Sequence, residues 1–359
     1  MKTKNLIILS ILLFSSTFLL FTNANAQSSI EKKVKKISLL DRLQQEEEII
    51  PFEIITNIET VYADWKVQNY HWGKTIINLS DESLIEEETK VKPRGKYRSR
   101  YCDNPPLKIK FSNKKLKARN FKKLNEFKLV YPCKSNEKYQ NYVLREYLSY
   151  KLYNVLTDKS LRVQLVDLTL RDSTKNKRTK EFKGFLIEHR EEFIDRIDGL
   201  MSDIKCMRPD HLDPQAYTLF QVFQFFIGNT DWLLPTCKNA EVISLKDGSM
   251  IPVPYDFDFS GLVGAEYATA DPALGIQSVK TRYFLGHMKS MEELDPVLAL
   301  FKERKAKLLS VVEEFEYLSK NERVDMTNYL KRFYKILDKP KKVKKLFVHP
   351  MGKNMAKNY

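Results

Sequence analysis

Residues 220–263 restrict the possible fold more than any other part of the chain. The run from Phe220 to Ile227 holds so many aromatic and aliphatic residues that it predicts a buried helix rather than a surface helix. A polar cluster, Gly228-Asn229-Thr230-Asp231-Trp232, follows directly and ends the run. The chain must therefore enclose this helix and carry Asp231 at its end.

A predicted hairpin comes next. Glu241–Leu245 and Met250–Pro254 are strand-like, and the Asp-Gly in their connection is a strong hairpin signal. The second strand leads into Asp256-Phe257-Asp258, so we expect Asp231, Asp256 and Asp258 to line one cleft, with Asn239 between the two ends. Three acids in one place repel each other unless a cation lies among them. The alternative is that Asp231 caps a turn and the two later acids belong to an ordinary strand-end loop.

The beginning of the chain has the pattern of a signal peptide. Lys2 and Lys4 precede an apolar run over 6–21, and Ala24-Asn25-Ala26 is a small-residue cleavage site. We therefore expect residues 1–26 to be removed and the protein to be exported, periplasmic or extracellular. No later segment approaches the roughly 20 apolar residues that span a bilayer, so no membrane span is expected in the mature chain.

The chain is basic, with a formal net charge of +15 at pH 7. Such a surface suits anionic partners, among them nucleotides, acidic glycans and membrane surfaces. The lysines are scattered rather than gathered in a basic arm, and no nucleic-acid-binding module is recognisable, so nucleic acid is not an expected partner.

The four cysteines, Cys102, Cys133, Cys206 and Cys237, are an even number in a chain expected to be exported, which permits disulfides. Four cysteines allow three pairings, and their spacing alone selects none. No Cys-x-x-Cys and no histidine pair with ligand spacing is present, which argues against structural zinc.

The first half of the chain carries three further features. Arg94-Gly95-Lys96 predicts a tight turn, in which Gly95 could let the backbone approach a phosphate or could be an ordinary turn residue. Lys128 lies among the apolar residues of a short strand, Phe127–Val130. Glu146 shares the apolar face of an amphipathic helix over 137–156. An inward Glu and an embedded Lys suit an ion pair, although an ordinary surface pair fits the same pattern.

The order of elements predicts an α+β fold. Residues 27–90 are expected to form a linker and a small β-rich portion, residues 91–190 a small sheet-rich lobe, and residues 191–337 a helical lobe. Residues 338–359 form a basic tail, expected to be solvated or to seek an anion.

The chain resembles the CotH-type spore-coat kinases, a family of secreted atypical kinases, over about residues 91–290. The resemblance is carried by RGKYRSR at 94–100, FKKLNEFKLVYPC at 121–133, LREYLSYKLYNVL at 144–156, GFLIEH at 184–189, GNTDW at 228–232 and VPYDFDFSG at 253–261. The usual kinase motifs G-x-G-x-x-G, H-R-D and D-F-G are missing. The implied architecture is a two-lobed atypical protein-kinase-like fold.

The resemblance also implies a role for each site residue. Lys128 would hold the phosphates of ATP near Gly95, and Glu146 would orient Lys128. Asp231 would accept the proton of the attacking hydroxyl, while Asn239 with Asp256, Asp258 or both would bind Mg²⁺ or Mn²⁺. The acceptor hydroxyl would belong to a protein, a glycan or a lipid head group.

The same mapping suggests a disulfide pattern. Cys102 and Cys133 would flank the early strands of the small lobe, so we expect them to pair with each other. Cys206–Cys237 is then the complementary pair.

Two other functions fit parts of the pattern. Asp256-x-Asp258 could be the metal-binding motif of a nucleotide-sugar glycosyltransferase, although the chain lacks the N-terminal βαβ pattern of that class. A cell-envelope binding protein could also keep a kinase-like fold without catalysis.

Overall fold

The computed structural model describes residues 36–46, 49–95, 97–174, 178–202, 204–286, 288 and 290–348. The expected signal peptide, residues 1–26, lies outside them. The strands are β1 Ile49–Thr56, β2 His71–Asn78, β3 Leu84–Pro93, β4 Leu107–Phe111, β5 Glu126–Val130, β6 Val163–Asp172, β7 Thr179–Ile187, β8 Gly199–Leu200, β9 Ala240–Leu245 and β10 Met250–Pro254. The helices are α1 Leu39–Leu43, α2 Ile58–Ala63, α3 Tyr97–Tyr101, α4 Asn113–Ala118, α5 Glu137–Leu156, α6 Arg190–Arg196, α7 Pro214–Ile227, α8 Met291–Glu303, α9 Lys305–Glu313, α10 Lys320–Leu337 and α11 Pro340–Phe347.

A β-rich part and a helical part make the fold α+β. Seven strands close into a barrel in the order β1-β2-β3-β4-β5-β7-β6, and all neighbours are antiparallel except β1 and β6. Alternation of buried and exposed residues along β3 shows why these sequences form a barrel wall, since every second side chain turns into the apolar interior. That interior is filled by residues such as Phe52, Ile109 and Leu129.

The barrel joins two segments that the sequence had separated. Strands β1 to β3 come from the expected N-terminal portion, and β4 to β7 come from the expected small lobe. The boundary at residue 90 therefore falls inside β3. The parallel pairing of β1 with β6 closes the barrel between strands that are far apart in sequence, and local patterning carries no signal for such a pairing.

Helix α5 links the two parts of the fold. Asn136 caps its start by accepting a 3.1 Å hydrogen bond from the amide of Tyr139. The helix contacts β6 and β7 of the barrel and also α9 of the helical part. Because it is covered on several sides, even its Glu146 is buried, as the helical pattern predicted.

The helical part encloses α7 as the sequence predicted. Phe223 and Phe226 of α7 lie in the same apolar cluster as Phe301, Leu330 and Phe333 of the later helices. The first part of the expected basic tail belongs to this core as well. Residues 340–347 form α11, and Phe347 packs against Phe225 with ring centroids 5.1 Å apart, so this segment is not simply solvated.

Both expected disulfides are present. Cys102 bonds to Cys133 and Cys206 bonds to Cys237, with Cα–Cα distances of 4.7 and 4.9 Å. Within the described residues, no helix combines the length and the apolar character that a membrane crossing requires.

Candidate functional site

Asp231 lies in a loop that the end of α7 holds in place. The helix stops at Gly228, whose φ of +68° favours glycine, and a Cβ there would meet the Tyr329 hydroxyl at 2.0 Å. The buried Asn229 side chain then donates to Gln224 at 3.0 Å and accepts from the Asp231 amide at 3.0 Å. Asp231 is thus placed by a buried polar side chain and not only by its own turn.

Asn239 lies beside Asp231. Its amide nitrogen donates to a carboxylate oxygen of Asp231 and to the Asp231 carbonyl, both at 2.8 Å. Lys238 forms an ion pair with the other carboxylate oxygen of Asp231. The Asn239 amide oxygen accepts no hydrogen bond from any described residue, so it remains available to a ligand.

Asp256 and Asp258 follow β10, but they do not face the same way. The strand ends at Pro254, and Asp256 has a φ of +61°, so the two acids do not continue the extended backbone of β10, in which residues two apart would share a face. Asp256 is exposed, whereas Asp258 is only 6% exposed and accepts a 3.2 Å hydrogen bond from the Tyr267 hydroxyl. The fully buried Phe257 between them packs against Tyr150 with ring centroids 4.6 Å apart, and it anchors the turn.

The buried carboxyls of this site are electrostatically strained. Burial, and then the nearby Asp256 carboxylate, raises the pKa of Asp258 to about 7, and Arg98 partly opposes the shift. Burial raises the pKa of Glu146 well above its usual range, and the charges of Asp258 and Asp256 add to the effect. A cation near these carboxyls would favour their charged forms.

Lys128 and Glu146 do not form the expected ion pair, although both are described. The charges of Arg98 and Arg94 act on Glu146 and partly oppose the rise of its pKa. The Nζ of Lys128 lies instead 5.7 Å from the ring centre of Tyr255. The side chain of Lys128 is exposed to solvent. Desolvation, with the charges of Arg94 and Lys108, lowers the pKa of Lys128 to about 8.

Two arginines near the buried carboxyls received no role in the sequence analysis. Arg94 directly follows β3, and Arg98 on α3 donates a 3.2 Å hydrogen bond to the Tyr131 carbonyl. Arg98 acts electrostatically on Glu146, Asp256 and Asp258, and Arg94 acts on Glu146 and Asp256. Their four-residue spacing was the available signal, but it indicates a shared face only where the backbone is helical.

Gly95 lies in the turn between β3 and α3. It has a φ of +76°, and a Cβ there would meet no atom within 4 Å. Its carbonyl accepts a 2.9 Å hydrogen bond from Gln68. Glycine at this position is therefore explained by backbone conformation, and its contact with a phosphate stays a prediction.

The acidic residues fit a divalent cation in part. Among the described residues, no group of three or more His, Cys, Asp or Glu side chains is arranged to hold a metal. Asp256 and Asp258 nevertheless repel each other, and the oxygen of Asn239 accepts no hydrogen bond from the described chain. Carboxylate and amide oxygens are donors that suit Mg²⁺ and Mn²⁺, so the residues present fit such an ion as a set of two acids and one amide.

Comparisons with known proteins gave a distant likeness to a solved structure. No family model and no curated protein matches the chain. Among solved structures, the crystal structure of a Helicobacter pylori proinflammatory kinase, CtkA, aligns at 13% identity over 67% of this chain and 93% of that chain, with a TM-score of 0.39. This degree of likeness does not establish a common fold.

Proposed function

We propose that this protein is an atypical kinase that transfers the γ-phosphate of ATP to a hydroxyl of a protein or an envelope component. The observation that carries the proposal is that a group of acidic side chains lies close to two arginines. On the acidic side, Asn239 donates to Asp231, and the charges of Asp256 and Asp231 act on Asp258. On the cationic side, Arg98 interacts electrostatically with Asp256 and Asp258, and Arg94 interacts with Asp256. Phosphoryl transfer needs mainly charge neutralisation and alignment, which such a site supplies.

The cationic residues would bind the triphosphate. Lys128 is exposed and approaches Tyr255 next to Asp256, so its ammonium group is accessible to a ligand at the site. Arg98 and Arg94 would add contacts, since guanidinium groups match phosphate oxygens in pairs. Glu146 would then orient the two arginines rather than Lys128.

The acidic residues would divide into a metal set and a base. Mg²⁺ or Mn²⁺ bound by Asp256, Asp258 and the Asn239 oxygen would neutralise charge on the phosphates. Asp231 would accept the proton of the acceptor hydroxyl, and its hydrogen bond from Asn239 would fix the direction of its carboxylate.

Two features support the expected family and location. The charged residues converge from the motifs that resemble CotH-type kinases, and both disulfides fit an oxidising compartment outside the cytoplasm. We therefore propose an exported CotH-like kinase whose acceptor lies in the cell envelope or beyond it.

Calorimetric titration with a non-hydrolysable ATP analogue, with and without Mn²⁺, tests the proposal. Binding should require the metal and should be lost in Asp256→Asn/Asp258→Asn, in which Asn at 256 tolerates the positive φ. The control is Asp210→Asn/Glu314→Gln, two exposed acids far from the site in sequence, which should bind as wild type does.

The same titration separates the alternatives. Preference for a nucleotide sugar over the ATP analogue would favour the glycosyltransferase, and Asp256-x-Asp258 would then hold its metal. Absence of any metal-dependent nucleotide binding would contradict both enzymes and favour an envelope binding protein.

A further inference from the structure

Two rows of lysines cross the outer face of the barrel. Lys90 of β3 is paired in register with Lys110 of β4, and Lys92 of β3 is paired with Lys108 of β4. Lys108 is in turn paired with Lys128 of β5. Neighbours of these residues along each strand point into the barrel, so all five side chains share the outward face. We call these five residues the lysine rows.

The lysine rows carry more positive charge than the protein itself neutralises. Within the described residues only Lys108 of the five forms an ion pair, with Glu126 at 2.7 Å. Glu126 also contacts His189 and accepts a hydrogen bond from Tyr70, so its charge is shared. Like charges directly opposite each other destabilise a sheet. An anionic ligand on this face would remove that cost.

Aromatic rings lie beside the same lysines. Lys90 is 4.8 Å from the ring centre of Trp72, and Lys92 and Lys110 are 4.6 and 5.6 Å from that of Tyr70. Trp72 is 70% exposed, although it is among the largest side chains of the chain. These contacts hold the ammonium groups near the sheet in a fixed pattern, so the face presents ordered charges.

The face has two ends. On β3 its charge changes sign at Glu88, two residues before Lys90, and the neighbouring Glu86 forms an ion pair with Lys74. At the opposite end, Lys128 approaches Tyr255 next to Asp256 in the candidate site. A ligand that lay along the rows would therefore reach that site.

We propose that the lysine rows bind an extended acidic segment of a polypeptide acceptor and lead its hydroxyl residue to Asp231. Within a row the lysines lie on adjacent strands and are about 5 Å apart, whereas the two rows are about 7 Å apart along each strand. An extended peptide with a carboxylate at every second residue also repeats at about 7 Å, so its successive carboxylates can reach from one row to the other. This choice of acceptor rests on the proposed function, whereas the binding of the acidic segment can be measured without nucleotide.

Fluorescence anisotropy with a labelled peptide of about twelve residues, alternating Glu and Ser, tests this inference at low ionic strength. The full chain should bind the peptide, and Lys90→Gln/Lys110→Gln should weaken the affinity by roughly tenfold. The control, Lys114→Gln/Lys117→Gln, removes the same net charge from exposed positions of α4. Its affinity for the peptide should stay within about twofold of the wild-type value.

Binding of further ligands identifies the chemical class that the lysine rows recognise. A peptide of the same composition with all Glu residues at one end should bind more weakly than the alternating peptide. The inference would be overturned if both lysine double variants lost the same affinity for the peptide, or if the two peptides bound equally well. It would also be overturned if a polyuronate or anionic vesicles bound in a way that depends on the lysine rows while the peptide did not bind. Thermal melts of each variant check folding, and removal of the Lys90–Lys110 repulsion should leave the melting temperature unchanged or higher.

The nucleotide titration described above is a separate measurement. Peptide binding that depends on the lysine rows, together with absence of nucleotide binding, would contradict the kinase and retain the acidic docking face. Metal-dependent nucleotide binding without peptide binding would contradict only the docking face.

Discussion

The backbone amide of Asp256 donates a 2.9 Å hydrogen bond to the hydroxyl of Tyr150. Tyr150 lies on α5, the helix that links barrel and helical part, so this bond joins the acidic turn to the element that carries Glu146. It also fixes a residue whose φ of +61° is unfavourable for a side chain other than glycine, asparagine or aspartate. The position of the Asp256 carboxylate therefore depends on one buried tyrosine.

Replacement of Tyr150 by Phe should lower the free energy of unfolding by about 1 kcal/mol, because a single hydrogen bond is lost at nearly constant volume. It should also weaken metal-dependent nucleotide binding, since the Asp256 turn is less firmly held. Tyr153→Phe, one turn further along α5, is the control, because no hydrogen bond of that buried hydroxyl is seen within the described chain. Denaturant titration and calorimetry measure the two effects, and equal behaviour of both variants would contradict this role of Tyr150.

Local pattern predicted the elements that carry the acids. The hairpin around Asp247-Gly248, the helix over 137–156 and the buried end of α7 follow from turn residues and apolar spacing, and the structure has all three. The disulfides were also predicted correctly, although by placing the cysteines in a lobe rather than by their spacing.

Contacts between distant segments were not predictable in the same way. Which cation faces Glu146 depends on how the turn at Gly95 folds back against α5, and so Arg94 and Arg98 were overlooked in favour of Lys128. The register that aligns Lys92, Lys108 and Lys128 appears only when three strands are paired. Closure of the barrel by β1 and β6 likewise depends on tertiary structure.

The two disulfides offer a matched comparison, because each has the same sequence separation of 31 residues. The loop-entropy model gives each about 4 kcal/mol, so Cys102→Ser/Cys133→Ser and Cys206→Ser/Cys237→Ser should destabilise the protein similarly. Their effects on ligands should differ. The first pair tethers the segment of Arg98 and should mainly affect nucleotide affinity. Cys237 of the second pair directly precedes Lys238, the ion-pair partner of Asp231, so loss of this pair should mainly affect transfer.

Denaturant titration and calorimetry at a temperature where both variants are folded check this prediction. If only the variant without Cys206–Cys237 lost nucleotide affinity, the proposed role of the Arg98 segment in nucleotide binding would be contradicted.

A buried ionic network joins the N-terminal segment to the end of β7. Arg162 lies 2.9 Å from Glu188, whose side chain is fully buried, and 3.0 Å from Glu192. Ser38 donates a hydrogen bond to the same oxygen of Glu192, while the other oxygen has no hydrogen-bond partner within the described chain. Burial raises the pKa of Glu192 to about 7, and the charges of Glu188 and Asp41 contribute to the shift.

This pKa predicts how stability depends on pH. Between pH 4.5 and about 7 the unfolded chain releases the Glu192 proton while the folded chain retains it, so the free energy of unfolding should fall as pH rises through this window. Glu192→Gln removes this dependence on pH. The free energy of unfolding of the variant should therefore exceed that of wild type most above pH 7 and should not exceed it below pH 4.5. The exposed neighbour Glu191→Gln is the control, and parallel pH curves for wild type and Glu192→Gln would contradict the shifted pKa.

Arg98→Lys should weaken binding of the ATP analogue by about fivefold, because lysine keeps the charge but loses paired contacts with phosphate oxygens. Arg100→Lys, on the same short helix, leaves the site cations unchanged and should bind as wild type does. Calorimetry in Mn²⁺ measures both affinities, and the nucleotide role of Arg98 is excluded if the two variants bind equally well.

Asp231→Asn separates binding from chemistry. Asn has nearly the same shape and keeps a carbonyl oxygen for the amide of Asn239, but it cannot accept the proton of a hydroxyl. Metal-dependent binding of the ATP analogue should stay within about threefold of wild type, while phosphate transfer should fall by roughly 10²–10⁴-fold.

Lys238→Gln is the companion variant, because it removes the ion pair of Asp231 and leaves the carboxylate itself. It should retain most of the transfer activity, because the carboxylate that accepts the proton is still present. Transfer from labelled ATP to the alternating Glu-Ser peptide, followed over pH 5 to 9, gives both results. Full activity of Asp231→Asn would show that another group accepts the proton, and would remove Asp231 from the proposed mechanism.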